Sequence, residues 1–508
     1  MRPKLRKLVY AGALAFLIAC SPSSVSSPSD SLVSPSALPQ TSAAPSPFPQ
    51  ATQTEFSTSA PTETLVPVPE IPQVTLDVLL DYNAHQADVI ETIIYPNRTG
   101  DPLTQLVLAV EPNFWSGAFN LASASVDGNP ITPILNDQYM EIQLPQVLAP
   151  DAATTLNFQY TLNLPVLRSP ASGERHLTTF GYSDRQLNLA HWYPFVVPYL
   201  PGKGWGLHDP WLSGEHLVHD LADYTVHLHF SDPANPPIVA ASGVEQESPQ
   251  VGPASNFHHY RLQKGRAFAI SASNEYLVSE QQAGDVLVRS YYFPEHQPAG
   301  QAVLQASTQA VQVYSDKFGQ PPHPTLSAVE ADFDDGMEFS GLYFLSRDYY
   351  ARYDGTPQNY ATLLAAHETA HQWWFERVAN DQATEPWLDE ALSTYSEYIF
   401  LESIYPNLTN WWWSYRVDSY TPKGWVDTTI YSGGKFRPYV NAVYLQGARF
   451  LRDLRTRMGD EAFFAFLCDY YSRMGGKIST KENFLTILRQ HTSADVSDII
   501  AGYFQDPR

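Results

Sequence analysis

From Gln73 to about Val278, apolar and polar positions alternate in short runs separated by Pro, Asn, Asp and Gly. A period of two places alternate side chains on opposite faces of a strand. Asp223–Phe230 alternates well, and Val239–Gly243 and Ala267–Ser271 read as further strands. Many short strands between turn residues predict a β-sandwich-like domain over 73–278. Near Gly300 the period lengthens. Gln301 to Phe318 carries apolar positions at helical spacing and stops at Gly319. Thr356-Pro357 and Thr384-Glu385-Pro386 predict two more helix starts, each with Pro at the first helical position. Leu326–Tyr349 reads as strand, and helical spacing resumes from about Tyr439 to Tyr503. The expected class is multidomain: an amino-terminal all-β sandwich domain, then an α+β domain over 279–508 that is mostly helical at its end.

The first 72 residues follow neither pattern. Arg2, Lys4, Arg6 and Lys7 precede an apolar run from Leu8 to Ala19. Twelve residues are too few to span a bilayer but suit the core of a secretory signal. The run ends in Leu17-Ile18-Ala19-Cys20, which resembles the bacterial lipobox. That resemblance implies a signal peptide over 1–20, lipidation of Cys20, and a site in the cell envelope. Residues 21–70 hold 13 Ser, 10 Pro and 6 Thr. So little apolar surface cannot offset ordering entropy, so 21–72 is expected to be a flexible linker.

Composition narrows the function. Lys and Arg number 30 against 53 Asp and Glu, a net charge of −23, which argues against nucleic-acid binding. Two cysteines exclude a disulfide scaffold. Cys468, in the apolar run Phe463–Cys468, is expected to be a core thiol. Trp411-Trp412-Trp413 is expected to pack between helices, and His216, His219, His227, His229, His258 and His259 to be ordinary residues.

The strongest chemical signal is His367-Glu368-Thr369-Ala370-His371. On a helix, residues four apart share a face, so both imidazoles can bind one metal while Glu368 stays free as a base. With eighteen residues between them, His371 is followed by Glu390, in Trp387-Leu388-Asp389-Glu390-Ala391. Two His and one Glu leave a fourth position open, as a catalytic zinc site requires.

His-Glu-x-x-His, eighteen residues, then Glu resembles the aminopeptidase N family of gluzincin zinc metallopeptidases. Asp335-Gly336-Met337-Glu338-Phe339 resembles that family's Gly-x-Met-Glu-Asn strand, with Phe339 where the family has Asn. Val443-Tyr444-Leu445-Gln446-Gly447 resembles its Tyr-x-Lys-Gly segment, with Gln446 in place of Lys. Trp192-Tyr193-Pro194 and Ala222–Val226 resemble parts of its saddle-shaped β domain. The resemblance implies a thermolysin-like catalytic domain holding one Zn2+ per chain through His367, His371 and Glu390. Glu368 would be the general base and Tyr444 the oxyanion donor, with Tyr439 the alternative phenol. Glu338 would bind the α-amine of a peptide substrate, with Gly336 and Met337 beside it. A second amine-binding group is expected from the β domain, with Glu111 and Glu174 as candidates. Thr394 is either a support for the site or a plain helix-face residue. The 118 residues after Glu390 only finish the catalytic domain, which implies an open cleft. The expected activity is amino-terminal cleavage. An endopeptidase or a non-catalytic peptide-binding lipoprotein is the alternative.

Overall fold

The computed structural model describes residues 68–167, 179–200, 202, 204–246 and 256–507. Cys20, the signal, the linker up to residue 67 and Glu174 lie outside the described residues.

The alternating segments pair as their pattern demands. In strand Gln73–Asp81, Val74, Leu76, Val78 and Leu80 point to one buried face. It pairs in parallel with strand Ala222–Phe230, setting Leu76 beside Val226 and Leu80 beside Phe230. Strand Gln86–Pro96 flanks it on the other side, antiparallel, and the sheet extends to eight strands. A two-stranded pair, Tyr199–Leu200 with Gly204–Trp205, and two four-stranded sheets complete the strand-rich region, the latter around Leu103–Ala109 and around Ile270–Ser273. The last of these begins three residues later than its apolar run predicts.

Beyond it lies a five-stranded sheet in the order Leu277–Ala283, Val286–Tyr292, Thr325–Ala331, Leu342–Ser346, Gly336–Phe339. Strand Thr325–Ala331 is buried at every residue, as a parallel strand covered on both faces must be. Helix Gln297–Phe318 makes the crossover between parallel neighbours Val286–Tyr292 and Thr325–Ala331. Gly336–Phe339 is the antiparallel edge strand. The chain then becomes helical, ending in Gly447–Met458, Asp460–Met474, Lys481–Gln490 and Ser497–Tyr503. An amino-terminal β-rich domain is thus followed by an α+β region whose end is mostly helical. No helix among the described residues is long and apolar enough to cross a membrane.

Three local expectations change. The first motif helix runs Tyr360–Ala370 and does not start at Pro357: Asn359 caps it, its Oδ1 accepting from Thr362 N at 3.0 Å. The second runs Trp387–Ile404, with Pro386 at the N-cap, just before the first turn. Cys468 is exposed, because Phe463, Phe466, Leu467 and Tyr470 take the buried face of its helix. Its Sγ instead donates to Lys317 O at 3.1 Å.

The strand-rich region and the five-stranded sheet share a small core that includes Ala190, Ala240, Ala267, Phe293 and Phe339. Polar contacts cross the same seam. Arg185 holds Asp332 through two nitrogens at 2.8 and 3.0 Å, and its guanidinium lies 3.5 Å over the Phe293 ring. Arg266 is fully buried and donates to Glu376 O and His219 O at 2.8 and 2.9 Å. Glu376 in turn accepts from Ser340 Oγ at 2.6 Å and meets His323 Nε2 at 2.7 Å. These contacts set one wall of the main cavity against the other.

Candidate metal centre and active site

His367 lies on the last turn of helix Tyr360–Ala370, and His371 is its C-cap, still in helical conformation. The i, i+4 spacing therefore survives, and the two Nε2 atoms are 3.2 Å apart. Helix Trp387–Ile404 packs alongside and brings Glu390 Oε2 to 3.3 Å from His367 Nε2 and 3.7 Å from His371 Nε2. All three side chains are buried, and their ligand atoms lie within 4.8 Å of one another.

The donor chemistry fits a divalent cation. His367 Nδ1 meets Glu397 Oε1 at 3.1 Å, and His371 Nδ1 meets Trp374 O at 3.1 Å. Each ring is thus held by Nδ1, which leaves Nε2 to the cluster. Glu390 Oε2 is buried and has no hydrogen bond. Burial, with His367 beside it, drives the His371 imidazole well below its usual range, so it is neutral and able to ligate. Glu338, Glu368 and Glu390 are all pushed well above the usual carboxylate range, first by burial. Asp389 rises to about 8 through burial and then Glu215. So many buried acids beside two imidazoles form a donor set that suits a divalent cation.

Glu397 is exceptional among these acids. Burial raises it, but Arg416 and the hydrogen bond to His367 bring it down to about 2. Arg416 donates from Nε and Nη2 at 3.0 and 2.9 Å, and Trp412 Nε1 donates at 2.8 Å. Trp412 is fully buried, so the tryptophan run does pack between helices, and its middle member also orients the site. Sequence reading passed over Glu397, although it lies two helical turns beyond Glu390 and so on the same face.

Glu368 turns into the same cavity, with Oε2 buried and unpartnered. Gly336 makes room for it: a Cβ there would lie 2.0 Å from Glu368 Oε1. Any side chain at 336 would displace the carboxylate. Gly336, Met337 and Glu338 line the cavity from the edge strand. Gln382 Nε2 donates to Glu338 Oε1 at 2.9 Å and to Asp389 Oδ2 at 3.0 Å. Tyr444 sits in a π-helical segment, Asn441–Gln446, and donates to Glu390 Oε1 at 2.6 Å. Its ring is parallel to that of His367, centroids 6.2 Å apart. Tyr439 is buried behind it and does not line the cavity. Phe339 and Gln446 do not line it either. Phe339 packs on His191 and Phe344, and Gln446 accepts from Arg449. Thr394 is buried and its hydroxyl has no hydrogen bond.

The β-rich region supplies the opposite wall of this cavity, whose volume is about 520 Å³. Two acids enter from there. Glu111 opens a short 3-10 turn after strand Leu103–Ala109. Glu215 lies in the segment after Gly204–Trp205 and is the largest charge effect on Glu338, Asp389 and Glu390. Gly214 lets that segment pass close to the helices: with φ of 81°, its Cβ would meet Tyr439 Oη at 2.7 Å. No periodicity or motif marks Glu215 in the sequence. Of the histidines read as ordinary, His216 lines the cavity, whereas His227 and His258 pair with Asp77 and Glu245 on the β-rich region.

Residues 303–503 match the peptidase family M1 domain. Over 221 residues the chain is 26% identical to Aminopeptidase M1-D of Oryza sativa subsp. japonica, covering 40% of this chain and 25% of that protein. It is 25% identical over 227 residues to Aminopeptidase N of Lactococcus lactis subsp. cremoris, 40% of this chain and 26% of that one. The chain thus spans about a quarter of the length of the curated relatives it matches. Among solved structures, the M1 zinc metallopeptidase from Deinococcus radiodurans shares the fold at a TM-score of 0.60 and 17% identity, over 86% of this chain and 94% of that one. Residues 303–503 thus resemble the peptidase family M1 domain, and the chain shares its fold with an M1 zinc metallopeptidase and carries a His/His/Glu cluster able to hold one metal ion.

Proposed function

We propose that the protein is a zinc-dependent aminopeptidase that removes residues one at a time from the amino end of peptides. One observation carries this reading: the His367, His371 and Glu390 cluster shares a single cavity with two further acids, the buried Glu338 and the partly buried Glu215. The cluster supports metal-assisted hydrolysis. The two acids support recognition of a free ammonium group beside it.

A zinc ion held by His367, His371 and Glu390 would supply Lewis-acid polarisation of the scissile carbonyl and of water. The chain's own residues do the rest. Glu368 takes the proton from the attacking water and returns it to the leaving amine. Tyr444 offers its hydroxyl proton to the carbonyl oxygen as charge develops there. Glu338 and Glu215 pair with the substrate α-amine, which fixes the cut one residue from the end. The unpaired edge of strand Gly336–Phe339 suits an extended peptide backbone added antiparallel. Of the two amine candidates from the sequence, Glu174 lies outside the described residues and Glu111 is not among the main charges acting on Glu338, whereas Glu215 is, so Glu215 takes the role expected of them.

This reading divides the chain into a β domain to 278 and a peptidase domain from 279, after a signal over 1–20 and a linker over 21–72. Lipidation at Cys20 would hold it in the cell envelope; a Cys20→Ser variant that stays in the membrane fraction would refute the anchor. For the activity, a panel of aminoacyl reporters is read with and without chelator. Hydrolysis should need zinc and a free amine. Equal cleavage of amine-blocked peptides would make the protein an endopeptidase instead.

A further inference from the structure

We propose that the cavity selects substrates whose amino-terminal residue carries a positively charged side chain, and that Glu111 is the specificity-determining group that receives it. This rests on the aminopeptidase reading above.

Glu111 is only 3% exposed, yet it lines the cavity. Neither of its carboxylate oxygens has a hydrogen bond among the described residues. Its one ion-pair contact among the described residues is His216 Nε2, at 3.4 Å. That nitrogen is already engaged with Gln138 Oε1 at 2.9 Å, and Gln138 is itself buried and tied to His208 O at 2.9 Å. His191, the other imidazole on this wall, is held down to about 4 by burial, so it is uncharged near neutral pH. Glu111 therefore sits in a nearly dry wall without a donor of its own. Such a group costs several kcal/mol unless something supplies donors. Its backbone leaves it little freedom to turn away: Val110 N donates to Gln138 O at 2.6 Å, and Pro112 restricts the turn.

The surroundings indicate what the donor is. Glu215, assigned to the α-amine, is the chain neighbour of His216, whose ring reaches Glu111. An amino-terminal side chain that leaves the amine site along this wall would end at Glu111. Trp115 and Phe180 line the cavity with ring centroids 5.4 Å apart and would flank its methylenes. Lysine ammonium and arginine guanidinium bring charged donors to the bare carboxylate. An alkyl side chain of equal length would bury Glu111 and leave it unpaired, and a site with an unpaired buried polar group rejects such analogues strongly. An acidic side chain would add like charge.

The test uses the zinc-loaded full chain. Lysyl, arginyl and norleucyl reporters are compared by kcat/KM, and free L-lysine and L-norleucine by calorimetry. The lysyl-to-norleucyl ratio should be about tenfold or more, and it should fall towards one in a Glu111→Gln variant. L-lysine should bind more tightly than L-norleucine in the parent. A parent ratio of one or below, or a ratio unchanged in the folded variant, overturns the proposal. If the variant does not fold, the parent comparison alone decides. Failure of the aminopeptidase reading shows separately, as no hydrolysis of any aminoacyl reporter. Calorimetry then still tests Glu111, and equal affinity or no binding of either amino acid overturns it.

Discussion

The two walls of the cavity are built on different principles. On the helical wall, His367, His371 and Glu390 project from two packed helices, and each imidazole is braced from behind by Glu397 or by Trp374 O. On the strand-rich wall, Glu111 and Glu215 come from short irregular segments, and among the described residues Glu111 accepts no hydrogen bond and meets only His216 Nε2, at 3.4 Å. The first wall is pre-organised by hydrogen bonds made before any ligand arrives. The second presents carboxyl groups with few hydrogen-bond donors of their own among the described residues. Chemistry that must be the same for every substrate sits on rigid elements, and selection among substrates sits on loops, where sequence can change without moving the reacting groups.

The sharpest way to break that contrast is Glu368→Gln. It keeps the shape of the helical wall and removes the group proposed above as the base, so kcat should fall about 10²- to 10⁴-fold while zinc content is retained. A variant as active as the parent would deny the helical wall its chemical role.

Next in size is Glu397→Ala, which removes the brace and leaves Arg416 buried without its carboxylate. Loss of about 3–5 kcal/mol in denaturant unfolding is expected, with zinc affinity down about 10- to 100-fold in a competitive titration. Unchanged affinity would mean that the metal cluster does not depend on its outer contacts.

The smallest effect concerns the seam that sets the two walls against each other. Burial raises the Asp332 carboxyl, but Arg185 and Ser183 hold it below its usual value of 3.8. A carboxyl depressed in the folded state contributes stability above its unfolded pKa. That contribution is lost as pH falls through 3.8 towards the folded value. Asp332→Asn should cost about 2 kcal/mol near neutral pH, and the gap in Tm from the parent should narrow as pH falls below 3.8. A gap that does not narrow below that pH would show that the Arg185 contact is not what holds the seam.

Much of the helical wall can be read along the chain, because its rules are local. Two histidines four apart on a helix face one way whatever packs around them. Glu390 follows at a spacing that a second helix can bring back. The start of the first motif helix was misread because Pro357 is a permissive signal, whereas the cap from Asn359 is a specific hydrogen bond. Cys468 was misread for a related reason: an apolar run does not say which face of its helix meets the core, and four larger side chains take that face here.

Glu215 has no such local rule. It matters because Gly214 lets its segment lie against Tyr439, and because Glu338 arrives from an edge strand on the other side. Nothing in the residues around it encodes that meeting. The sequence by itself determined the alternation that makes sheets, the spacing that aligns two imidazoles, and the acid beside them. Only the tertiary structure decided which carboxylates face one cavity, since burial and mutual repulsion depend on distances between segments far apart in the chain.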